Sequence, residues 1–406
     1  MTALFPDLKV VDLTWVGVGP LTTKYFADHG ATVVKVESFR RPDGLRLQPP
    51  FPGGARGEGF DRSGFYANYN ANKLSLSLEL DTAAGRDVAI RLVRWADVLA
   101  ESYTPRVMRS FGLDYEVIAA VNPRIIMLST CQQGQTGPYA DYPGYGHQGA
   151  ALAGLWHLTG WPDQPPAGPY GAYNDFINPR IGAMAVAAAL DRRRRTGRGV
   201  WIDFSQVEGG IQFAAPAIFD ASVNGRSMRP AGNRSAGAAP HGVFPCRGDD
   251  RWIAIAVASD AEWEALCAVI GLKETGPALR TLLGRKRREE EVEDMVAGAT
   301  HRWDAFELME ALQAKGVPAG VVQKGSDLSS DPQLEFRGHF QWADHPEMGR
   351  MAYQRPAFKL SGTPASLRRP SPCLGQHTEM VCREFLGMSD EEFIRAFEGG
   401  AFGLAA

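Results

Sequence analysis

The stretch Gly171–Arg180, GAYNDFINPR, sets a carboxylate, Asp175, between an amide and a phenylalanine at the entrance of an apolar helical run. Two roles suit an aspartate there. As an N-cap it would accept a backbone N–H of the first turn, with the helix beginning at Phe176 and Pro179 tolerated in that turn. As a nucleophile it would use the same surroundings. The positive end of the helix dipole holds a carboxylate ionised and oriented, and apolar neighbours such as Phe176 leave it poorly solvated. Local residues leave both roles open. His147, in GYGHQG, lies in a Gly/Tyr-rich loop, a place for a general base and equally for a packed or surface histidine. No His/Cys/Asp cluster has metal-ligand spacing, and no GxSxG elbow occurs, so no metal is expected.

A second constellation is GVGPLTTKYFADHGATVVKVE. Gly17 and Gly19 open a helix, and Glu37 ends the next strand where a ribose-binding acid would sit in a dinucleotide fold. The third glycine is replaced by Thr22, and Pro20 follows the second, which would crowd a pyrophosphate. Binding of a phosphorylated ligand near this turn is expected, and of NAD or flavin is not.

These residues need a scaffold. Lys9–Leu13 and Ala31–Glu37 read as strands around a helix at Pro20–His29, a βαβ unit that implies an open parallel sheet. Lys73–Leu80 alternates as a further strand, and Asp97–Glu101, Arg124–Thr130 and Val200–Ser205 follow with helices between them. Residues 131–172 are rich in Gly, Pro, Tyr and Gln and read as loop, and a long helix spans Phe176–Arg194 before TGRG. Composition shifts at Arg229–Gly242, and Val243–Val257 reads as a hairpin turning at Gly248-Asp249-Asp250. The expected division is residues 1–225 as the N-terminal part of a large domain, 226–325 as a smaller α+β domain, and 326–406 as a tail returning to the first.

Bulk properties exclude several classes. A chain of 406 residues exceeds one ordinary core, and its net charge of −3 gives no global attraction to nucleic acid or an anionic membrane. The arginine runs at 192–195 and 285–288 close a helix and precede a glutamate run, so neither reads as a nucleic-acid patch. No apolar stretch approaches the roughly 20 residues of a membrane span, and the start lacks a signal pattern. Five scattered cysteines, never CxxC, suit a reducing cytoplasm.

Read together, VVDLTWVGVGPLTTKYFADHGATVVKVE, NYNANKLSLSLELDTAAGRD, ADVLAESYTPRVMRSFGLDYEVIAAVNPRIIMLS, LDRRRRTGRGVWID, APHGVFPCRGDDRWIAIAV and DPQLEFRGHF resemble the class III CoA-transferases, relatives of formyl-CoA transferase and alpha-methylacyl-CoA racemase. The resemblance runs the length of the chain. It implies a Rossmann-like large domain made from both chain ends, a small domain, and two interlaced chains. It implies coenzyme A thioesters as substrates and Asp175 as the covalent nucleophile, passing through an aspartyl-acyl anhydride and an aspartyl-CoA thioester. Val16, Gly17, Asn72, Lys73, Ser102 and Tyr103 match CoA-contacting segments; Arg40, Arg41 and Arg106 offer phosphate partners on adjacent loops.

The sequence also departs from the family pattern. Ala71 and Trp15 replace arginines, Arg109 is shifted beside Ser110, and Cys131, Gln132 and Gln133 replace a Ser/Lys-Gly-aromatic pattern near the thioester. Tyr142, Tyr145, Trp156, Trp161, Tyr170 and Tyr173 would suit a bulky acid, with Tyr145, His147, Tyr173 and Asn174 lining its pocket. GYGHQGAALAGLWHLTGWPD resembles the succinyl-CoA:benzylsuccinate type of transferase, whose members pair two related subunits, so a homodimer and a heteromer both stay open. Two alternatives remain beside CoA transfer. One is an acyl-CoA racemase using Asp175 with His147, although such relatives carry their histidine where Tyr145 stands. The other is a supporting subunit of a hetero-oligomer.

Overall fold

The computed structural model describes residues 3–273 and 276–403. The chain sorts into two units, Met1–Trp156 with Gly168–Met228 and Arg337–Ala406, and His157–Ala167 with Arg229–Phe336.

The first unit is an α/β structure on six strands, β1 (Lys9–Leu13), β2 (Thr32–Glu37), β3 (Leu74–Ser77), β4 (Val98–Glu101), β5 (Ile126–Cys131) and β6 (Val200–Ser205). All pair in parallel in the order β3-β2-β1-β4-β5-β6. Successive side chains of a strand point to opposite faces, so the apolar runs split between two cores. Val11, Val34, Leu99 and Met127 enter one core, and Val10, Val33, Val98 and Ile126 the other. From β1 the chain builds outward through β2 and β3, then crosses back to lay β4 on the other side of β1. At such a reversal of strand order the loops diverge, and open α/β sheets place ligands at that carboxyl edge.

The helices are α1 (Val18–Asp28), α2 (Gly64–Asn70), α3 (Ala83–Trp95), α4 (Pro105–Phe111), α5 (Tyr115–Val121), α6 (Gly146–Leu152), α7 (Leu155–Leu158), α8 (Tyr173–Thr196), α9 (Gln206–Ile211) and α10 (Ala215–Asn224). Two of them lie in the segment read as loop. α6 forms because small residues let it approach closely: a methyl group at Gly149 would overlap the Gln132 side chain. α8 begins three residues earlier than the sequence suggested. Its N-cap is Ala172, which makes no side-chain cap, and Pro179 falls in the second turn rather than the first. The proline ring removes the N–H that would have bonded the Asp175 carbonyl. Gly197, at φ 72°, ends the helix in the left-handed conformation.

Residues after Arg337 return to this unit. A hairpin of β10 (Phe340–His345) and β11 (Gly349–Gln354) buries Tyr353 against Ala67 and Ala71; β7 to β9 belong to the second unit. Further on, His377 N donates to Ser75 O at 2.9 Å and Ser77 N to Thr378 Oγ1 at 3.0 Å, which covers the free edge of β3.

The second unit carries β7 (His241–Pro245), β8 (Trp252–Ala256) and β9 (Ala319–Val321) as an antiparallel sheet. Helices at Asp260–Ile270, Glu289–Thr300 and Ala305–Gln313 bury Trp263, Val292, Val296, Leu308 and Leu312 beside that sheet. Among the described residues no helix is long and apolar enough to cross a membrane, and no group of three or more His, Cys, Asp or Glu is placed to hold a metal.

Candidate active site

Asp175 is the third residue of α8, and its backbone N donates to Ala172 O at 2.8 Å. It is therefore not the cap that its sequence position suggested. Its carboxyl group accepts no hydrogen bond from any described residue. Instead it is wedged between two glycines that begin other helices. A methyl group at Gly17, which precedes α1, would lie 2.7 Å from Asp175 Cβ and 2.8 Å from Oδ2. A methyl group at Gly146, the first residue of α6, would overlap Asp175 Oδ1. Three helix beginnings thus face one carboxyl group.

Burial without a partner pushes the Asp175 carboxyl from its ordinary range up to about 7. The sequence reading had the helix end holding it ionised; loss of water outweighs that here. Above this value the group is an anion with neither hydrogen-bond partner nor counter-ion, a state suited to attack on an electrophile. Tyr69 of α2 lies within electrostatic reach, and burial raises its hydroxyl.

The two glycines of the apparent dinucleotide turn serve close packing. Gly17 admits Asp175, and a methyl group at Gly19 would overlap the Thr14 side chain. Glu37, the would-be ribose ligand, is wholly buried in a two-bond pair with Arg46, both at 2.8 Å. Burial opposes its ionisation, but Arg46 outweighs it and holds the carboxyl near 2.

The expected site residues fall into three groups. Val16 and Gly17 follow β1, Ser102 and Tyr103 follow β4, and Gln133 follows β5, all at the carboxyl edge. Tyr145 caps α6, and His147 is its second residue and is exposed. Tyr173 and Asn174 share the first turn of α8 with Asp175. Asn174 is buried, and its Nδ2 donates to Gln206 O at 3.2 Å, which ties the first turn of α8 to α9. Ser102 Oγ accepts from Trp15 N at 2.8 Å, and the Trp15 and Tyr103 rings meet edge-on at 5.8 Å.

Arg40, Arg41 and Arg106 form the second group. They are exposed on loops or helix starts after β2 and β4, at the same edge. Arg40 Nη1 lies 3.5 Å from Asp81 Oδ2, and Arg41 and Arg106 have no ion pair among the described residues.

Asn72 and Lys73 form the third group and do not join the others. They enter β3 at its amino end, and their polar atoms are spent internally. Asn72 Nδ2 donates to Asp28 Oδ1 at 2.8 Å and to Ser366 O at 2.9 Å, and its Oδ1 accepts from Arg369 N at 3.2 Å as well as from Arg368 N. Lys73 Nζ bonds Asp12 Oδ2 at 2.8 Å, Pro20 O at 2.9 Å and Asn70 Oδ1 at 2.9 Å. Burial lowers its ammonium to about 8 even beside Asp12. The aromatic set also disperses: Tyr142, Tyr145 and Tyr170 are exposed at 61%, 66% and 96%, and Trp161 belongs to the second unit.

Sequence reasoning missed Gly146. Its only signal was a small-residue run, GHQGAALAG, whose partner lies 29 positions away at Asp175.

A family model described as CoA-transferase family III matches residues 5–378. The chain is 30% identical to a succinyl-CoA–D-citramalate CoA-transferase of Chloroflexus aurantiacus, covering 95% of each. It is 31% identical to a succinate–glutarate CoA-transferase of Agrobacterium fabrum, covering 93% of this chain and 94% of the relative. A solved CaiB/BaiF family protein from Brucella suis superposes with a TM-score of 0.87 at 28% identity, over 95% of this chain and all of that one. Sequence and fold agree, and the chain belongs to CoA-transferase family III, whose enzymes move coenzyme A between carboxylic acids.

Proposed function

We propose that Asp175 carries CoA from succinyl-CoA to a dicarboxylic acid, with benzylsuccinate as the aromatic candidate acceptor. The observation behind this reading is the unpartnered carboxyl group wedged between Gly17 and Gly146 at the carboxyl edge of the sheet. The relatives that act on succinate, glutarate and D-citramalate support a dicarboxylic acceptor.

The chemistry follows from a carboxylate of raised basicity in poor solvent. An Asp175 oxygen attacks the thioester carbonyl, the C–S bond breaks, and CoA thiolate leaves a mixed anhydride behind. The thiolate then attacks the Asp175 carbonyl carbon, giving aspartyl-CoA thioester and free succinate. The acceptor carboxylate displaces thiolate from that thioester, and the thiolate finally takes the new acyl group and frees Asp175. Each intermediate is about as activated as the thioester, so little driving force is lost. Each is open to hydrolysis, so the site must exclude water. In this reading Val16, Gly17, Ser102, Tyr103 and Gln133 border the CoA path, Arg40, Arg41 and Arg106 supply positive charge to its phosphates, and the active assembly is a dimer or a heteromer with a related chain.

Incubation with succinyl-CoA and hydroxylamine should leave a hydroxamate on Asp175, read by peptide mass spectrometry. Productive transfer with no adduct at Asp175 would falsify the covalent scheme. The epimerase alternative rests on His147; wash-in of solvent deuterium beside the thioester carbonyl, with no acceptor acid present, would favour it instead.

A further inference from the structure

The turn between β1 and α1, Thr14–Gly17, is bonded by side chains drawn from several strands. Thr14 N donates to Asp12 Oδ1 at 3.0 Å, Trp15 N to Ser102 Oγ at 2.8 Å, and Val16 N to Asp43 Oδ1 at 3.1 Å. The Thr14 carbonyl accepts from Lys35 Nζ, and the same ammonium lies 3.1 Å from Asp43 Oδ2. Asp43 and Lys35 are fully buried. Val16 has φ 65°, a left-handed conformation that a β-branched residue adopts only when its surroundings hold it there. The next residue is Gly17, whose Cα lies against the Asp175 side chain.

Such an arrangement does more than satisfy backbone groups. A turn with no strained residue would satisfy them at lower cost. Here four side chains, those of Asp12, Lys35, Asp43 and Ser102, fix the turn in an unfavourable conformation, and its product is the contact between Gly17 and Asp175. We propose that Asp43 and Ser102 are positioning residues for the transfer reaction: by holding the N–H groups of Val16 and Trp15 they press Gly17 against the Asp175 carboxyl group and keep water from the acyl-aspartate. This rests on the reading of Asp175 as nucleophile. Water that reaches the anhydride attacks the acyl carbonyl, breaks its bond to the Asp175 oxygen and releases free acid, so donor thioester is consumed without transfer.

Ser102→Ala removes the acceptor of Trp15 N, Asp43→Asn weakens the grip on Val16, and Ser102→Thr keeps a hydroxyl. Tyr69, His147, Tyr173 and Arg180 stay unchanged in all three. Two readouts separate positioning from mere folding. The first needs no substrate: labelling of Asp175 by a water-soluble carbodiimide across pH, followed by peptide mass. The second is the ratio of succinyl-CoA hydrolysis to Asp175 hydroxamate formed. For Ser102→Ala the labelling midpoint should fall by about one pH unit as water enters, and the hydrolysis ratio should rise at least several-fold. Ser102→Thr should restore both. A folded Ser102→Ala with the wild-type midpoint and ratio overturns the proposal; if that variant does not fold, Asp43→Asn is judged by the same two measures. Absence of any wild-type hydroxamate sinks the nucleophile reading instead, while the labelling midpoint still reports whether the turn controls Asp175.

Discussion

Two carboxylates, Glu37 at the end of β2 and Asp175 in the first turn of α8, show how this protein uses charge. Glu37 is fully enclosed and accepts from Arg46 and from Tyr66 Oη at 2.7 Å, and its carboxyl stays near 2. Asp175 is partly buried, accepts nothing, and is pushed up to about 7. Burial acts alike on both; a partner decides the outcome. A paired charge is chemically quiet and holds loops in place, whereas an unpaired one keeps its lone pairs for a reaction. Glu101 shows that a neutral partner is not enough. It is 1% exposed, with Oε2 accepting from Tyr103 N at 2.8 Å, and burial still pushes it up to about 7.

The contrast can be broken from either side. Asp175→Asn should lower CoA transfer by at least about 10³-fold while the circular dichroism spectrum is preserved, because an amide cannot form the anhydride. Arg46→Met strands Glu37 as an unpaired buried charge and should cost about 3–5 kcal/mol in denaturant unfolding. A loss below 1 kcal/mol would mean that the pair does not hold the β2 loop. Gly146→Ala should reduce transfer by about 10- to 100-fold and cost about 1–3 kcal/mol of stability, since its methyl group overlaps Asp175 Oδ1 and crowds Ala172 Cβ. Wild-type rates there would detach α6 from the site.

The smallest effect is a pair of opposed pH slopes. The unfolded chain loses the Asp175 proton near 3.8, but the folded chain keeps it until about 7, so this group makes stability fall as pH rises between those values. Asp175→Asn should remove that slope and gain about 1–3 kcal/mol at pH 8 relative to wild type, after allowance for partial exposure. Glu37 runs the other way: its contribution is complete above about 4.5 and is lost as pH falls toward 2. Thermal unfolding at pH 5 and pH 8 in both proteins reads the difference.

Much of this was legible along the chain. The β-branched runs of β1 and β2 and the stop at TGRG came from local pattern, whereas the place of Asp175 inside the first turn of the long helix, rather than before it, did not. Other features were not. Asn72 and Lys73 look like ligand residues in NANK, yet their partners include Arg368 and Arg369 from the returning tail and Asp12 from another strand. Nor does a caps-and-propensity reading foresee that α8 starts at Tyr173 without a capping side chain.

By itself the sequence determined which segments alternate, which carry the helical repeat, and that an aspartate lies near the start of the long helix, because periodicity and spacing are local. Only the tertiary structure decided that Asp175 has no partner among the described residues, that Gly17 and Gly146 close on it from two other helices, and that Asp43 and Ser102 bond the turn after β1. Those outcomes depend on which residues meet across the sheet edge, and desolvation is a property of that meeting rather than of any residue alone.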